Sequence, residues 1–577
     1  MGGAKLLVFP WVGYRLKFMS INQATIPSEM AIHGRVTHRE MRIAARLGSP
    51  RANDAAKRVA VCAGLLAILM VWAVLFPQTG DGDAIMHYLN AHDGWWQPAK
   101  LMGSWARVGA KIYLLIPAQF GVLVARWAAA VVSVLCAWQS IRLAEDLKLD
   151  HAVLAAPFLI FQPFVFSLAG DTMTELPFAL GMVVAIRLWL AERPLASCWV
   201  MGYLPTVRPE GFFLCAMWAA MLIADHKPRL IAVLGWAAVA WVIGCWILWG
   251  DPTYFFRAGW SWPADSLRVY GHGSFFAHVN RWPVYCGPVL FVLFLAGVGR
   301  YVIGPGSRRL LLLGIGLLIL ELVLPAEIRE NILPWPALLF AGAIGWEVRR
   351  EKFAVGIWVF LLIFTLHSVL WWRGWFGSCG LMRILACVAP ITAIICLAGW
   401  NAIANRVSKV GRVLAVSTIG LTAVGYYIVD PLHHRIFPLQ TACQFISGHN
   451  LLRDAPMIVF GDPMAQAAIE MPPNPPNLLH NDCDRIVECA RLLHTPIGSV
   501  GLWDNQHAQA WFGVAISDLA ALGYSVVFRT EYHPRLAIEW LEPANSPRDQ
   551  IYVVIRKDRP GHMPGLVSGF AASGSRP

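Results

Sequence analysis

Charged residues are scarce in this sequence, and the usual local signatures of metal binding are absent. Only 14% of the 577 residues are Asp, Glu, Lys or Arg, whereas 57% are hydrophobic. The 12 cysteines form no C-x-x-C pair and no His/Cys cluster with zinc spacing. The composition excludes an ordinary soluble domain and is typical of a polytopic membrane protein. No cofactor is indicated, and a divalent metal ion has no support in the local sequence.

The excess of basic residues has an explanation other than nucleic-acid binding. The net charge is +12, but the Lys and Arg residues lie in short clusters between apolar runs. Such clusters determine membrane topology by remaining on the cytoplasmic side. We therefore exclude nucleic acid as a partner and expect membrane lipids to surround the protein.

Apolar runs predict a mainly α fold, a polytopic transmembrane helical bundle with a small external α/β domain at its C-terminus. Each run is read as a membrane-spanning helix, which needs about 20 apolar residues. About thirteen runs are found, near 59–76, 121–141, 152–169, 176–190, 195–207, 211–224, 230–249, 284–303, 310–324, 332–346, 353–370, 382–400 and 413–429. The predicted domains are a cytoplasmic tail (1–58), a membrane domain (59–430) and an external domain with its tail (431–577).

The external domain is predicted from short strands that alternate with helices after about residue 445. Asp462 and Asp504 follow predicted strands, where open α/β sheets often bind ligands, although turn chemistry also favours aspartate there. A disulfide among Cys443, Cys483 and Cys489 is left open, whereas most other cysteines lie in apolar runs and should act as small hydrophobic residues.

The loop after the first apolar run carries the best candidate for catalysis. Its sequence Gly82-Asp83-Ala84-Ile85-Met86-His87-Tyr88 combines an acid, an imidazole and an aromatic ring. Asp83 could act as a general base, with Asp81 as the alternative acid. His87 would share a face with Asp83 if a helix begins here. The structural alternative is that Asp83 caps this helix.

Two further connections add charged candidates. Asp171 and Glu175 lie before an apolar run, on the same predicted side as Asp83, in a pattern that also resembles a helix cap. Arg208 and Glu210 lie between two short apolar runs, where a charge is costly unless it is paired or faces a cavity. Arg208 could bind a phosphate as a fork, or form a structural pair with Glu210.

The order of these segments resembles the GT-C superfamily of integral-membrane glycosyltransferases, in particular bacterial mannosyltransferases. The resemblance rests on the first-loop acid Asp83, the segment from Gly103 to Gly121, Asp171–Glu175 and Arg208–Gly211. Two later segments, Arg329–Pro334 and Arg383–Pro390, look like the Arg-Tyr-Leu-Leu-Pro pattern of such proteins. One departure is clear, because many relatives carry an acidic pair where this chain has Asp83 followed by Ala84.

The resemblance implies an enzyme that transfers a hexose or pentose from a polyprenyl-phosphate carrier by single displacement with inversion. The acceptor would be a glycan, a lipid or a protein on the external face of a bacterial inner membrane. Asp83, Asp81 and Glu175 would be the catalytic candidates. Arg208, Lys100, Arg107 and Lys111 would neutralise the departing phosphate, and the remaining substrate-binding candidates are His87, Asp171, Glu210 and Arg383.

Two other classes of protein fit a polytopic chain. A secondary transporter should show two similar halves with helices broken at matching positions, and no such repeat is visible. A cell-envelope assembly protein without transferase activity would place its function in the C-terminal domain. Substituting Asp83 would separate these classes, because an enzyme would lose activity and a scaffold would not.

The alternating basic clusters and the odd number of predicted spans place the N-terminus in the cytoplasm and the C-terminal domain outside. Alkaline phosphatase fused after Lys557 should therefore be active, because this reporter folds only outside the cytoplasm. A fusion after Arg412 should be silent. The reverse pattern would contradict the orientation, and equal activity of both fusions would contradict the number of spans.

Overall fold

The computed structural model describes residues 50–76, 82–102, 107–254, 271–302, 308–375, 380–429, 436–460, 464–465, 469, 478–479, 485–511, 513–533 and 549–564. The chain divides into two units, residues 1–56 and residues 57–577. All described residues from 57 onward belong to the second unit. Asp81 and Asp462 lie outside the described residues.

The chain is mainly helical before residue 430, as the composition predicts. The α-helices are α1 Pro50–Leu75, α2 Gly82–Gly94, α3 Ala99–Met102, α4 Val108–Lys111, α5 Val122–Asp146, α6 Ala155–Ile160, α7 Pro163–Leu168, α8 Glu175–Leu190, α9 Pro194–Val207, α10 Glu210–Ala224, α11 Ile231–Leu234, α12 Trp236–Trp249, α13 Ala277–Cys286, α14 Pro288–Val302, α15 Arg308–Val323, α16 Ala326–Asn331, α17 Pro334–Glu347, α18 Ala354–Arg373, α19 Ala389–Ile403 and α20 Lys409–Val429. Short 3₁₀ turns occupy Pro117–Phe120, Ala152–Leu154, Pro228–Leu230, Val348–Arg350, Met382–Val388 and Ala404–Arg406.

Every predicted apolar run coincides with a helix or a broken helix, but not every helix is long. Among the described residues, six helical segments are long and apolar enough to cross a membrane, or seven if one bent pair counts as a single span. The bent pair is α13 and α14, which meet at 115° around Gly287. Gly287 has a φ of 77°, which glycine adopts at little cost. The confirmed architecture is thus a polytopic helical bundle, while thirteen crossings remain a prediction.

The most buried of these six segments runs from Met382 through α19 to Arg406, and 94% of its 18-residue apolar stretch is buried inside the protein. Its close packing against α14 depends on Gly399, where a Cβ atom would lie 1.9 Å from the carbonyl oxygen of Leu293. Small residues commonly allow such close helix contacts in membranes. The 3₁₀ turn at the start of the segment carries Arg383.

The C-terminal part forms a small α/β domain, as predicted. Its five strands are β1 Ile458–Phe460, β2 Leu478–Leu479, β3 Val500–Asp504, β4 Tyr524–Tyr532 and β5 Gln550–Lys557, in the order β2-β1-β3-β5-β4. The first three strands are parallel, and β5 is antiparallel to both β3 and β4. The helices α21 Ile436–Gly448, α22 Arg485–Leu493 and α23 Ile516–Ala521 and the π-helix Asn505–Trp511 complete it. Cys443 and Cys489 are both buried, and Cys483 lies outside the described residues, so a disulfide among the three stays a prediction.

The C-terminal domain packs directly on α2. Ile85 and Leu89 of α2 share one hydrophobic core with Ile458, Val500 and Leu502 of the sheet. Each of these side chains is less than 10% exposed. Because burying an apolar side chain stabilises the folded state by about 1.5–3 kcal/mol, this contact fixes α2 between the helical bundle and the sheet.

Candidate active site

Helix α2 brings Asp83 and His87 onto one face. The helix begins at Gly82, so Asp83 and His87 lie one turn apart. Asp83 belongs to the first helical turn, where a carboxylate is favoured by the partial positive charge of the helix N-terminus. Asp83 and His87 therefore share one face of α2, as expected if a helix begins at this loop.

Asp83 forms an ion pair with a residue from the other end of the bundle. Nη2 of Arg383 donates a hydrogen bond to Oδ2 of Asp83, across 300 positions of sequence. The Arg383 side chain is 13% exposed and that of Asp83 is 30% exposed. Asp83 is thus held in position while part of its side chain remains exposed.

Arg208 is the centre of a buried network of charges. Its Nη1 lies 2.7 Å from Oε1 of Glu175, and its Nη2 lies 2.8 Å from Oε1 of Glu210. The ring nitrogen Nε2 of His367 lies 3.1 Å from the same Glu210 oxygen. The local Arg208–Glu210 pair considered from the sequence is present, and Glu175 joins it from another connection. The arrangement satisfies charges that would be costly if they were buried alone.

Thr174 links this network to Arg107. Its hydroxyl oxygen accepts hydrogen bonds from Nη1 of Arg208 at 2.8 Å and from Nη1 of Arg107 at 3.1 Å. Arg107 has a left-handed backbone with φ of 45°, a costly conformation for a residue other than glycine. Strain of this kind occurs often at functional sites.

Close packing between α4 and α9 holds Arg107 and Lys111 near the end of α9. A Cβ atom on Gly109 would lie 2.2 Å from the hydroxyl oxygen of Thr206, and the hydroxyl of Tyr203 donates to the Gly109 carbonyl at 2.7 Å. Only glycine therefore allows α4, with Arg107 before it and Lys111 at its end, to reach the end of α9 beside Arg208.

Burial and neighbouring positive charges lower the pKa of Lys111 and of His87. Burial lowers the pKa of Lys111 well below its usual range, and the charge of Arg107 lowers it further. Burial also lowers the pKa of His87, helped by Lys111, Arg107 and Arg208. His87 is therefore a neutral ring at pH 7, next to a concentration of positive charge. Such crowding of buried cations favours the binding of an anion.

The carboxyl group of Asp83 has an unusual acidity. Burial raises the pKa of Asp83 to about 6, and the charge of Glu175 also raises it, whereas Arg107, Arg208 and His507 lower it. A carboxylate with a pKa near the working pH is a stronger base than an ordinary aspartate. The position of Asp83 thus gives it the acidity expected of a general base.

Two predicted candidates have other contacts. Asp171 lies 3.2 Å from Nε of Arg126, and Nε of Arg126 also donates to the carbonyl of Gly170. This buried pair links the connection before α8 to the bundle. The sequence pattern suggested that Asp171 and Glu175 cap the following helix, and this interpretation is wrong. Helix α8 begins at Glu175, and its N-cap residue, Thr174, makes no capping bond through its side chain. Lys100 lies 4.0 Å from Asp93, more than two helical turns beyond Asp83 along α2.

Three side chains of this region are not among the predicted site residues. Thr174 and His367 contact the Arg208 network, and His507 of the C-terminal domain acts on Asp83 through its charge. The position of His367 within the apolar run of α18 could have identified it from the sequence, because polar residues are rare in membrane helices without a function. No local pattern indicates His507.

In the described part of the chain, no group of three or more His, Cys, Asp or Glu side chains could hold a metal ion.

Removing the guanidinium of Arg208 should destabilise the protein, because it would leave Glu175 and Glu210 buried without their partner. Arg208→Ala should lower the free energy of unfolding by about 3 kcal/mol or more, the usual cost of breaking a buried ion pair. Unfolding of the purified protein in detergent would measure the change. Arg142→Ala is the matched control, because its partly exposed pair with Glu145 should contribute little. Equal melting of both variants would contradict the structural role of Arg208.

Comparison with known proteins gives two solved structures. The chain is similar to the crystal structure of ArnT from Cupriavidus metallidurans bound to undecaprenyl phosphate, with 13% identity and a TM-score of 0.39, over 86% of this chain and 97% of that one. The apo structure of the same protein matches with 13% identity and a TM-score of 0.38, over 85% of this chain and 97% of that one. No family model and no curated protein matches.

Proposed function

We propose that this protein is a membrane glycosyltransferase of the GT-C type, which transfers a sugar from a polyprenyl-phosphate carrier to an acceptor hydroxyl. One observation carries the proposal: a carboxylate with raised pKa lies beside buried cations at the end of a membrane-type bundle. The sequence resemblance names the same acid. The acceptor is a glycan, lipid or protein on the outer face of a bacterial inner membrane, with the C-terminal domain on that side.

Asp83 acts as the general base in this proposal. The acceptor oxygen attacks the anomeric carbon of the sugar while the bond from that carbon to the carrier phosphate breaks, which inverts the configuration. The proton of the acceptor hydroxyl passes to Asp83, and the electron pair of the broken bond leaves with the phosphate oxygen. The 30% exposure of Asp83 leaves space for the acceptor, and Arg383 fixes the orientation of the carboxylate.

Arg107 and Lys111 are the proposed ligands of the carrier phosphate. Arg208 is already bonded to two carboxylates, so its charge is largely balanced within the protein. Arg107 and Lys111 carry like charges. Glu210, Glu175 and Asp83 favour the charged form of Arg107, and a phosphate between the two cations would stabilise the charged forms of both. We therefore assign Arg208 to positioning: it holds Thr174, which also accepts a bond from Arg107.

Glu175 has a second role open to it. Its Oε1 accepts from Arg208, while Oε2 is buried without a hydrogen-bond partner among the described residues. A buried carboxylate oxygen is costly to leave unsatisfied. In the proposed enzyme this oxygen accepts a hydrogen bond from a sugar hydroxyl.

Asp83→Asn should lower turnover about 10²-fold or more while the protein remains folded, because the amide cannot accept the proton. The assay would follow transfer of labelled sugar from a polyprenyl-phosphate donor in detergent. Asp93→Asn on the same helix is the control, because Asp93 interacts with Lys100 and His92 instead. Normal activity of Asp83→Asn would exclude Asp83 as the base and favour a transporter or an assembly protein.

The activity should depend on pH through the same group. Asp83 is a base only when ionised, and its pKa is about 6. The value of kcat/KM should therefore rise with pH through about 6 and level off above it. A rise centred near pH 4, the range of an ordinary aspartate, would contradict the effect of burial on this group.

Arg107→Gln and Lys111→Gln should each weaken binding of the carrier, measured with undecaprenyl phosphate as the probe, by about tenfold or more. Lys227→Gln, an exposed cation that pairs with Asp225, is the matched control. Melting curves of the variants would separate lost binding from lost folding. Unchanged affinity of both variants would place the phosphate elsewhere.

A further inference from the structure

The segment that joins α4 to α5 exposes a stripe of apolar side chains. Ile112, Ile116 and Phe120 are 58%, 62% and 72% exposed. The backbone between them runs in helical turns, from the bond of the Ile112 N–H to the Val108 carbonyl to the 3₁₀ turn Pro117–Phe120. Residues four apart in such turns lie on one side, so the three side chains form one surface, called here the apolar stripe.

The opposite side of this segment is packed against the bundle. Leu114 and Ala118 are buried in one core with Ala91 of α2 and Ala125 of α5. The stretch 112–125 contains no Asp, Glu, Lys or Arg. The apolar stripe is therefore held on the outside of the protein, and an exposed apolar surface of this kind marks an interaction site.

The segment is level with membrane-spanning helices. Helix α5, which follows it, is long and apolar enough to cross a membrane, and so is the helical segment that ends with α12. Met102 of α3 and Val108 of α4 both pack against Trp241 and Cys245 of α12. Trp241 and Cys245 lie eight and four positions before the end of α12, or about 12 and 6 Å along its axis. The connection that carries the stripe thus lies beside the last turns of a membrane-spanning helix and does not extend beyond them at this contact.

Two exposed tryptophans follow the helix end that lies next to the stripe. Nε2 of Gln119 donates a hydrogen bond to the carbonyl of His92 at 3.0 Å, which places Phe120 close to the end of α2. Trp95 and Trp96 come directly after α2 and are 49% and 76% exposed. Tryptophan is enriched where a membrane meets water. Together with the level of the segment, these rings favour lipid as the partner of the stripe.

We propose that the apolar stripe is immersed in the lipid leaflet at this end of the bundle and thereby holds Arg107 and Lys111 at the depth of the lipid phosphates. Lys111 is fully buried and directly precedes Ile112, so the cation faces the protein interior while the next side chain faces lipid. An apolar face of this kind enters a membrane to the boundary between head groups and acyl chains. The phosphate of a polyprenyl carrier stays at the same boundary, because its chain is anchored in the bilayer. The inference rests on the proposed function, since it gives the lipid surface a role in presenting the carrier.

Photo-cross-linking tests the contact with lipid. With Phe120 replaced by the photoreactive p-benzoylphenylalanine, the full-length protein in vesicles of phosphatidylethanolamine and phosphatidylglycerol should form adducts with phospholipid. The matched control carries the same photoreactive residue at Val526, which is 52% exposed on β4 of the C-terminal domain and should form none. No lipid adduct at position 120, an equal yield at position 526, or an adduct with a second copy of the chain would overturn the inference.

Transfer activity tests the role of the stripe in presenting the carrier. In vesicles, Phe120→Asp should lower kcat/KM about tenfold with the sugar on undecaprenyl phosphate, because a carboxylate at that depth opposes immersion. The same variant should keep the activity of the unmodified protein with the sugar on a short, water-soluble isoprenoid phosphate, since this donor reaches the site without the membrane. Val526→Asp should leave both activities unchanged.

The outcomes separate this inference from the proposed function. An equal loss of activity with both donors, or an unchanged activity of Phe120→Asp with the long-chain donor, would overturn the inference. Activity retained by Asp83→Asn would refute the proposed function instead, and the cross-linking result would still decide whether the stripe contacts lipid.

Discussion

The ion pair between Asp83 and Arg383 is the contact on which the arrangement of the site depends. It joins the first helix after α1 to the most buried segment of the bundle, 300 positions away in sequence. Arg383 belongs to the segment that packs closely on α14, and Asp83 belongs to α2, which docks on the sheet. The site is therefore a product of the whole bundle, since no single segment contains its parts.

A second constraint is the cost of burying charged side chains. Arg208 balances Glu175 and Glu210, and Arg126 balances Asp171, so these carboxylate and guanidinium partners stabilise the fold. Arg107 and Lys111 each lower the pKa of a neighbouring basic group, and Arg208 does so as well. Stability alone does not favour such an arrangement.

The sequence was informative where a pattern is local. Apolar runs predicted the helices, and short strand-like segments between helices predicted the strands of the C-terminal domain, because burial of apolar side chains determines both. The Arg208–Glu210 pair was visible because its members are two residues apart. The partnership of Arg383 with Asp83 was not, because it depends on how distant helices pack. No local pattern indicated His507, since its effect on the pKa of Asp83 joins distant parts of the sequence.

The geometry of α2 explains why docking of the C-terminal domain and orientation of the Asp83 carboxylate are coupled. Each residue advances a helix by about 100°, so Asp83 and His87 form one stripe, and Ile85 and Leu89 form another on roughly the opposite side. The first stripe faces the charged network, and the second is buried against the sheet. Any rotation of α2 that withdrew Asp83 from Arg383 would also withdraw Ile85 and Leu89 from their core. Hydrophobic docking of the domain thereby holds the carboxylate at a fixed angle, which a general base requires because catalysis is sensitive to displacements of about 1 Å.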